Sequence, residues 1–530
     1  MHDSKPVLKK RLDFILNSFW LGACMVLGAV FIYNNIVFLA ALANHSDRLL
    51  LEGPYDWPDT AVFTDLIRTG YWTNPNPQFI SGGQVWGLFP PLFMLVAIPF
   101  DMVIQNLSYT FLILAFLIQI PVFYYTMRDW PHKTQKIFIL LILGWSAITW
   151  HQFPLVMRLR EQLAVLFMVL MYKNVFKLSP IINHFVFSSL MILSQPTVAI
   201  IGGLLYPFIE AEGRIEKIDR RYLVSLVALC LIFIGVYSEH IALKGQNMAP
   251  LNAIGFAHFV VDIAAPNYLP FLLMQLLIIS VFFVRFDRKI FVWIWVAYII
   301  GMAALIMLTY MPSLFMRVVG PFSEDFNPFF YVMFVLGALH PGKTPADEAQ
   351  VKLAGILIFA YLAVFIIAPP SLIGSTPSYS EIFARIPAGS TVLPVSVYFW
   401  EQPRWVLFKA FDFRLMSEFY LRRIPIRTYY SPMQQFYDTE QVWPDAQAFI
   451  QSVDSSDWET CIQARDRLSA KVDYLSIYAV SPIDDRHSWS YGLWSRLNNQ
   501  SIMARCGVET TPALSTDAME NDLVSIRLKP

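Results

Sequence analysis

Along most of this chain apolar positions come in unbroken runs of helical length rather than in alternation. The runs recur from residue 13 to residue 370, and most charged positions lie in the stretches between them. Only helices and closed barrels satisfy their backbone in lipid, and barrel strands would alternate in polarity. The pattern therefore predicts a polytopic helical membrane protein. Spans are expected near 15–42, 107–127, 136–152, 222–242, 268–284, 290–311, 318–340 and 353–369, with a helix starting near Glu161. Two short segments, 181–195 and 197–210, meet at "SQPT", where Pro196 cannot continue a helix undisturbed. The count is about eleven by the span-length rule.

Basic residues orient these spans. "SKPVLKKR" places the N-terminus in the cytoplasm, and the first helix, too long for a cleavable signal, reads as an anchor. "MRDWPHKTQK", "AEGRIEKIDRR", "RFDRK" and "HPGKTPADEAQVK" are expected inside. The Pro-rich segment at 88–105 is then expected to lie along the outer interface, since crossing would put Arg128, Lys133 and Lys136 outside. An odd count leaves everything after residue 370 outside.

After residue 370 the pattern changes to short β-like runs ("STVLPVSVYF", "VDYLSIYAV", "DLVSIRL") alternating with amphipathic stretches ("PDAQAFIQSV", "CIQARDRLSA"). This predicts a soluble α/β domain over 371–530, about 150 residues and within the usual domain range. The domain over 1–370 is expected to be an all-α membrane bundle, with 45–105 as its first outer loop. Composition agrees: 56% of residues are hydrophobic and 15% charged, where a soluble domain carries roughly 25% charged. A formal net charge of zero offers nothing to nucleic acid. Cys24 and Cys230 fall in apolar helices, whereas Cys461 and Cys506 lie in the tail and could pair in an oxidising compartment.

The candidate chemistry lies at the expected outer face. Asp56 and Asp59 flank "WP" in the first outer loop, and the plain alternative for them is a turn or capping pair. Asp65 and Arg68, one turn apart, read most simply as a surface ion pair. "HQFPLVMRLREQ" gathers His151, Arg158, Arg160 and Glu161. These are either interfacial side chains reaching the headgroups or an anion site, since guanidinium forks match phosphate oxygens. Arg317 is a lone cation in apolar sequence, suited to a phosphate or to a structural pair with Glu324 or Asp325. Tail tryptophans Trp400, Trp405, Trp458, Trp489 and Trp494 suit a domain core and interface anchors better than glycan stacking. No Walker loop, "HExxH", metal-spaced cysteine pair or "GxSxG" is present, so nucleotide hydrolysis and zinc chemistry are not expected.

In this order, an early outer-loop Asp, "WGLFPPLF", a second charged cluster, short kinked helices at "SQPT", a late Arg and an outer α/β tail resemble the GT-C superfamily of membrane glycosyltransferases, which includes the aminoarabinose transferases and protein O-mannosyltransferases. The resemblance covers roughly residues 12 to 370, and its motifs are loose. It implies transfer of a sugar from a polyprenyl-phosphate donor to a hydroxyl of a glycan or lipid acceptor, on the periplasmic side of a bacterial inner membrane. It casts Asp56, with Asp59, as the base, Glu161 as the second acid, and Arg158 and Arg317 as phosphate ligands, with His151 and Arg160 beside them. A divalent cation (Mg or Mn) among the carboxylates is left open. Two other readings stand beside it: a flippase for a lipid-linked glycan, and a non-catalytic assembly subunit of the same fold. All of them share one topology. Cysteines introduced at residue 60 and near the C-terminus should therefore label from the same face of the membrane, and labelling from opposite faces would contradict it.

Overall fold

The computed structural model describes residues 57–74, 90–130, 159–211, 214–244, 385–400, 405–409, 426–428, 442–479, 489–510 and 523–529, together with scattered residues elsewhere. The chain divides into two compact units. One contains residues 1–46 and 89–372; the other contains 47–88 and 373–530. Residues 47–88 thus group with the C-terminal segment rather than with the helices that follow them.

In the first unit, helix α1 covers Asp13–Val26. After α2 (Trp57–Arg68), which belongs to the second unit, come α3 (Leu92–Ile104), α4 (Leu107–Met127), α5 (Leu159–Tyr172), α6 (Pro180–Ser194), α7 (Pro196–Glu210) and α8 (Arg221–Lys244). Among the described residues only α4 is long and apolar enough to cross a membrane; α1, α3, α6, α7 and the first part of α8 are apolar but shorter. The spans expected from 268 to 311 lie outside the described residues, and those near 136–152, 318–340 and 353–369 are described only at isolated positions. Asn106 caps α4 by accepting the Tyr109 N–H at 3.2 Å. Within this unit α5 packs on α4, α6 and α7, while α6 packs on α7 and α8 and α3 lies against α4, α5 and α6.

Several segments expected on the cytoplasmic side meet at one end of these helices. Lys173 Nζ donates to Asp129 Oδ2 and to the Leu339 carbonyl, each at 2.7 Å. Trp130 Nε1 donates to the Ala338 carbonyl, also at 2.7 Å. The Lys173 ammonium is the chief reason the Asp129 carboxyl titrates below its ordinary value.

Just inside that end, α6 and α7 are tied together by polar side chains. Asn183 Nδ2 donates to the Met171 carbonyl at 2.7 Å and to the Tyr206 hydroxyl at 3.1 Å. Tyr172 donates to the Gly202 carbonyl at 2.8 Å. His184 sits 2.9 Å from both the Gly203 carbonyl and the Ser225 hydroxyl. A carbonyl only accepts, so Nε2 carries the proton and Nδ1 accepts from Ser225. These contacts join the start of α6 to the later part of α7, so the two form a hairpin that leaves and returns to the same end. Gln195–Pro196 is its apex.

The outer surfaces of the same helices are apolar. Leu223, Val224, Val227, Leu231 and Ile234 on α8, Ile200, Leu204 and Phe208 on α7, and Phe116, Leu117 and Ile120 on α4 are exposed. Asn183, His184, Ser188, Ser225, Arg160, Glu161, Gln162 and Gln195 are buried. On these helices large apolar side chains are exposed while these polar ones are enclosed.

The second unit is built on a sheet in the order β2–β1–β4–β6–β5, with β3 also paired to β1. The strands are β1 (Thr391–Trp400), β2 (Trp405–Lys409), β3 (Arg427–Thr428), β4 (Tyr474–Ala479), β5 (Glu509–Thr510) and β6 (Leu523–Arg527). β1 and β4 run parallel, and parallel neighbours need a crossover, here carrying α9 (Val442–Ser455) and α10 (Trp458–Ser469). α11 (Trp489–Leu497) and the short α12 (Gln500–Met503) follow β4. The period-2 pattern sets two cross-strand rows, Leu393–Leu475–Ile526 and Val395–Ile477–Val524. Both rows join the core that includes Phe449, Leu468 and Trp494. Cys461 and Cys506 form a disulfide, their Cα atoms 5.6 Å apart and within the usual window. The neighbouring Gly507 has φ +68, and a Cβ there would collide with Arg465 Nη1, which donates to the Gly507 carbonyl.

Two predictions follow from this domain. Non-reduced, denatured protein should take maleimide only at Cys24 and Cys230, and reduction should add the other two; four reactive thiols before reduction would contradict the pairing. The second concerns Asp473, which accepts from Lys529 Nζ at 2.6 Å and from the Thr391 N–H at 2.8 Å, joining three strands. Partial burial works to raise this carboxyl, but Lys529 and the Thr391 N–H outweigh it and hold it below the usual range. A depressed folded value contributes stability at neutral pH that disappears as pH falls through the ordinary carboxylate value toward the folded one. Asp473→Asn should therefore cost about 1–3 kcal/mol in urea unfolding at pH 7 and progressively less in acid. An equal cost at all pH values would contradict the assignment.

Candidate functional site

Helix α5 begins "LREQ", and its first turn is buried. Glu161 is 0% exposed, and Arg160 and Gln162 beside it are buried as well. A carboxylate in a first turn is favoured by the N-terminal end of the helix dipole. That effect is worth a fraction of what burial without hydrogen bonds would cost. Gln195, 34 residues later, donates from Nε2 to Glu161 Oε1 at 3.2 Å.

Pro196 explains why Gln195 is available for this contact. Residue 195 is extended (φ −160, ψ 107), ending α6, and α7 starts at the proline itself. A continuous helix would bond the residue-196 N–H to the Ile192 carbonyl, but proline has no N–H. The freed carbonyl instead accepts from the Tyr237 hydroxyl at 2.7 Å. Tyr237 is itself the non-helical residue inside α8 (φ −112, ψ 15), at a kink. Three elements thus meet around one carboxylate: the start of α5, the α6–α7 break and the α8 kink.

Of the residues singled out in the sequence, Arg160 and Glu161 are brought into this cluster. Asp59 lies in the first turn of α2, and Asp56, His151, Arg158 and Arg317 lie outside the described residues. Asp56 and Asp59 belong to the second unit, Arg160 and Glu161 to the first. α2 is more enclosed than its polarity suggests, with Trp57, Ala61, Val62, Phe63 and Leu66 buried alongside Thr60 and Thr64. The Asp65–Arg68 pair needs correcting accordingly: the two are paired, but Asp65 is buried rather than on the surface. A helix enclosed on this scale leaves little solvent for the carboxylate, and Arg68 compensates it.

Sequence reading missed Gln195, Tyr237 and the burial of Asp101, which lies on the inward stripe of α3 with Phe93, Met94 and Ala97. The proline break was a usable signal for the first two, since a lost N–H always leaves one carbonyl to be satisfied elsewhere. Among the described residues, no group of three or more His, Cys, Asp or Glu side chains is placed to hold a metal ion. No family model matches the chain, and no curated protein matches it significantly.

Chemically, the cluster offers one buried carboxylate with an amide donor and a guanidinium nearby, in surroundings of low polarity. Such a group can hold or accept a proton, or balance a cation, with little screening.

Proposed function

We propose that this chain is an integral membrane glycosyltransferase that moves a sugar from a polyprenyl-phosphate donor to a hydroxyl on a glycan or lipid, at the periplasmic face. The observation that carries the reading is the inverted polarity of the first unit: Glu161 and Arg160 buried at a broken hairpin, in helices whose outer surfaces are apolar. Intramembrane charges held in this way are functional by default. Glu161 lies twelve residues along α5 from Lys173, about 18 Å at helical rise. In a hydrocarbon core of about 30 Å this is below the outer rim rather than at it.

The chemistry needs a base for the acceptor hydroxyl and positive charge for the departing polyprenyl phosphate. The acceptor oxygen bonds to the anomeric carbon, its proton passes to a carboxylate, and the sugar–phosphate bond breaks with its electrons retained by the phosphate. The reading assigns the base to Asp56, with Asp59 as its neighbour, a role worth about 10²–10⁴-fold. It assigns the second acid to Glu161 and phosphate stabilisation to Arg158 and Arg317, with His151 and Arg160 beside them. A donor with a prenyl tail keeps its apolar surface in lipid throughout.

A second reading, a carrier for a lipid-linked glycan, is favoured by the helix break itself, because discontinuous helices recur at transporter binding sites. One experiment separates the two. Vesicles containing the purified protein are given labelled polyprenyl-phosphate sugar on one side. A transferase forms a new glycosidic product that Asp56→Asn abolishes with membrane insertion intact, and Arg317→Ala raises the donor concentration needed. Movement of the label across the bilayer with no new glycosidic bond would replace the transferase with the carrier. Wild-type transfer by Asp56→Asn would remove Asp56 from the mechanism.

A further inference from the structure

The α6–α7 break leaves Ile192 with a carbonyl that no residue-196 N–H can reach, in apolar surroundings where an unmet carbonyl is costly. The group that meets it comes from α8, 45 residues away, and is a buried tyrosine hydroxyl. Three residues along from Ile192, the side chain of Gln195 reaches Glu161. The two carbonyls before that of Ile192 are occupied locally: the Leu190 carbonyl accepts from the Ser194 hydroxyl at 2.9 Å and the Met191 carbonyl from the Gln195 N–H at 2.7 Å. The turn that ends in Gln195 is therefore anchored from outside its own hairpin through Ile192. The anchoring residue is also the point at which α8 departs from helical geometry.

We infer that Tyr237 and Gln195 act as a positioning relay for Glu161. Tyr237 fixes the end of α6, and the fixed end aims the Gln195 amide at the Glu161 carboxylate. Neither residue touches a substrate on this account; both act through Glu161. The arrangement makes the hairpin apex depend on α8, so that a displacement of α8 at its kink is passed to the carboxylate through one hydroxyl and one amide. It rests on the reading of Glu161 as a working group of the bundle interior, but its test does not require transferase activity.

A hydrophobic carbodiimide adds to a protonated carboxyl group in an apolar environment, and peptide mapping of the purified full-length protein reads its rate at Glu161. The Gln195 amide occupies one carboxyl oxygen of Glu161 and restrains the group. Gln195→Leu should therefore speed modification by about threefold to tenfold, the factor one ordinary hydrogen bond is worth. Tyr237→Phe, which removes a single oxygen, should do the same to a similar degree. The double variant should be no faster than the faster single variant, because both act on one contact. In transfer assays the same substitutions should lower kcat while leaving the donor KM unchanged.

A wild-type rate of modification in Tyr237→Phe would overturn the relay, as would single effects that multiply in the double variant. Should Tyr237→Phe fail to fold, Gln195→Leu carries the test, and an unchanged rate at Glu161 then overturns it. If no transfer is found with the wild type but the modification pattern holds, the function fails and the relay stands.

Discussion

Glu161 has no surface open to solvent, and the helices around it are arranged to make that tolerable. A carboxylate in such a place must find donors within the protein, and one of them, Gln195, comes from a break in secondary structure rather than from a continuous helix. Pro196 ends α6, turning Gln195 out of helical geometry and towards Glu161. The same break strands the Ile192 carbonyl, which draws in Tyr237 and with it the kink of α8. One proline thus accounts for contacts among α5, α6, α7 and α8.

At the opposite end of these helices polar groups do different work. Asn183, His184 and Tyr172 donate to nearby carbonyls, Asn183 also to Tyr206, and Lys173 reaches Asp129 and Leu339. Each bond there joins two elements and fixes the hairpin at its base. The hairpin is then held at both ends, by a network near Lys173 and by Tyr237 at its apex. Between these fixed points the exposed positions are large and apolar, the arrangement that a lipid environment favours.

Much of the local structure could be read from the order of residues. The apolar run at 107–127 is helix α4, Pro196 separates α6 from α7, and the β-like runs of the tail are strands β1, β4 and β6. Each of these depends on neighbours within one turn or one strand, so periodicity and proline reveal it. The site was legible only in part. Glu161 and Arg160 stood out by their charge in apolar surroundings, but Gln195 and Tyr237 are ordinary residues whose role arises from contacts across 34 and 45 positions. Asp65 looked solvated because its own helix is polar, whereas its burial depends on what surrounds α2. The disulfide was legible as an option and needed the fold to bring its partners to 5.6 Å.

The role proposed for Glu161 depends on the apolar outer face of α8 meeting lipid while its inner face meets protein. Nitroxides placed at Leu231 and at Ser225 of the protein in liposomes test this directly, by their collision rates with oxygen and with a water-soluble nickel chelate. Leu231 should collide often with oxygen and rarely with the chelate, and Ser225 rarely with either. Frequent collision of the chelate with position 231 would place that face in water and contradict the account.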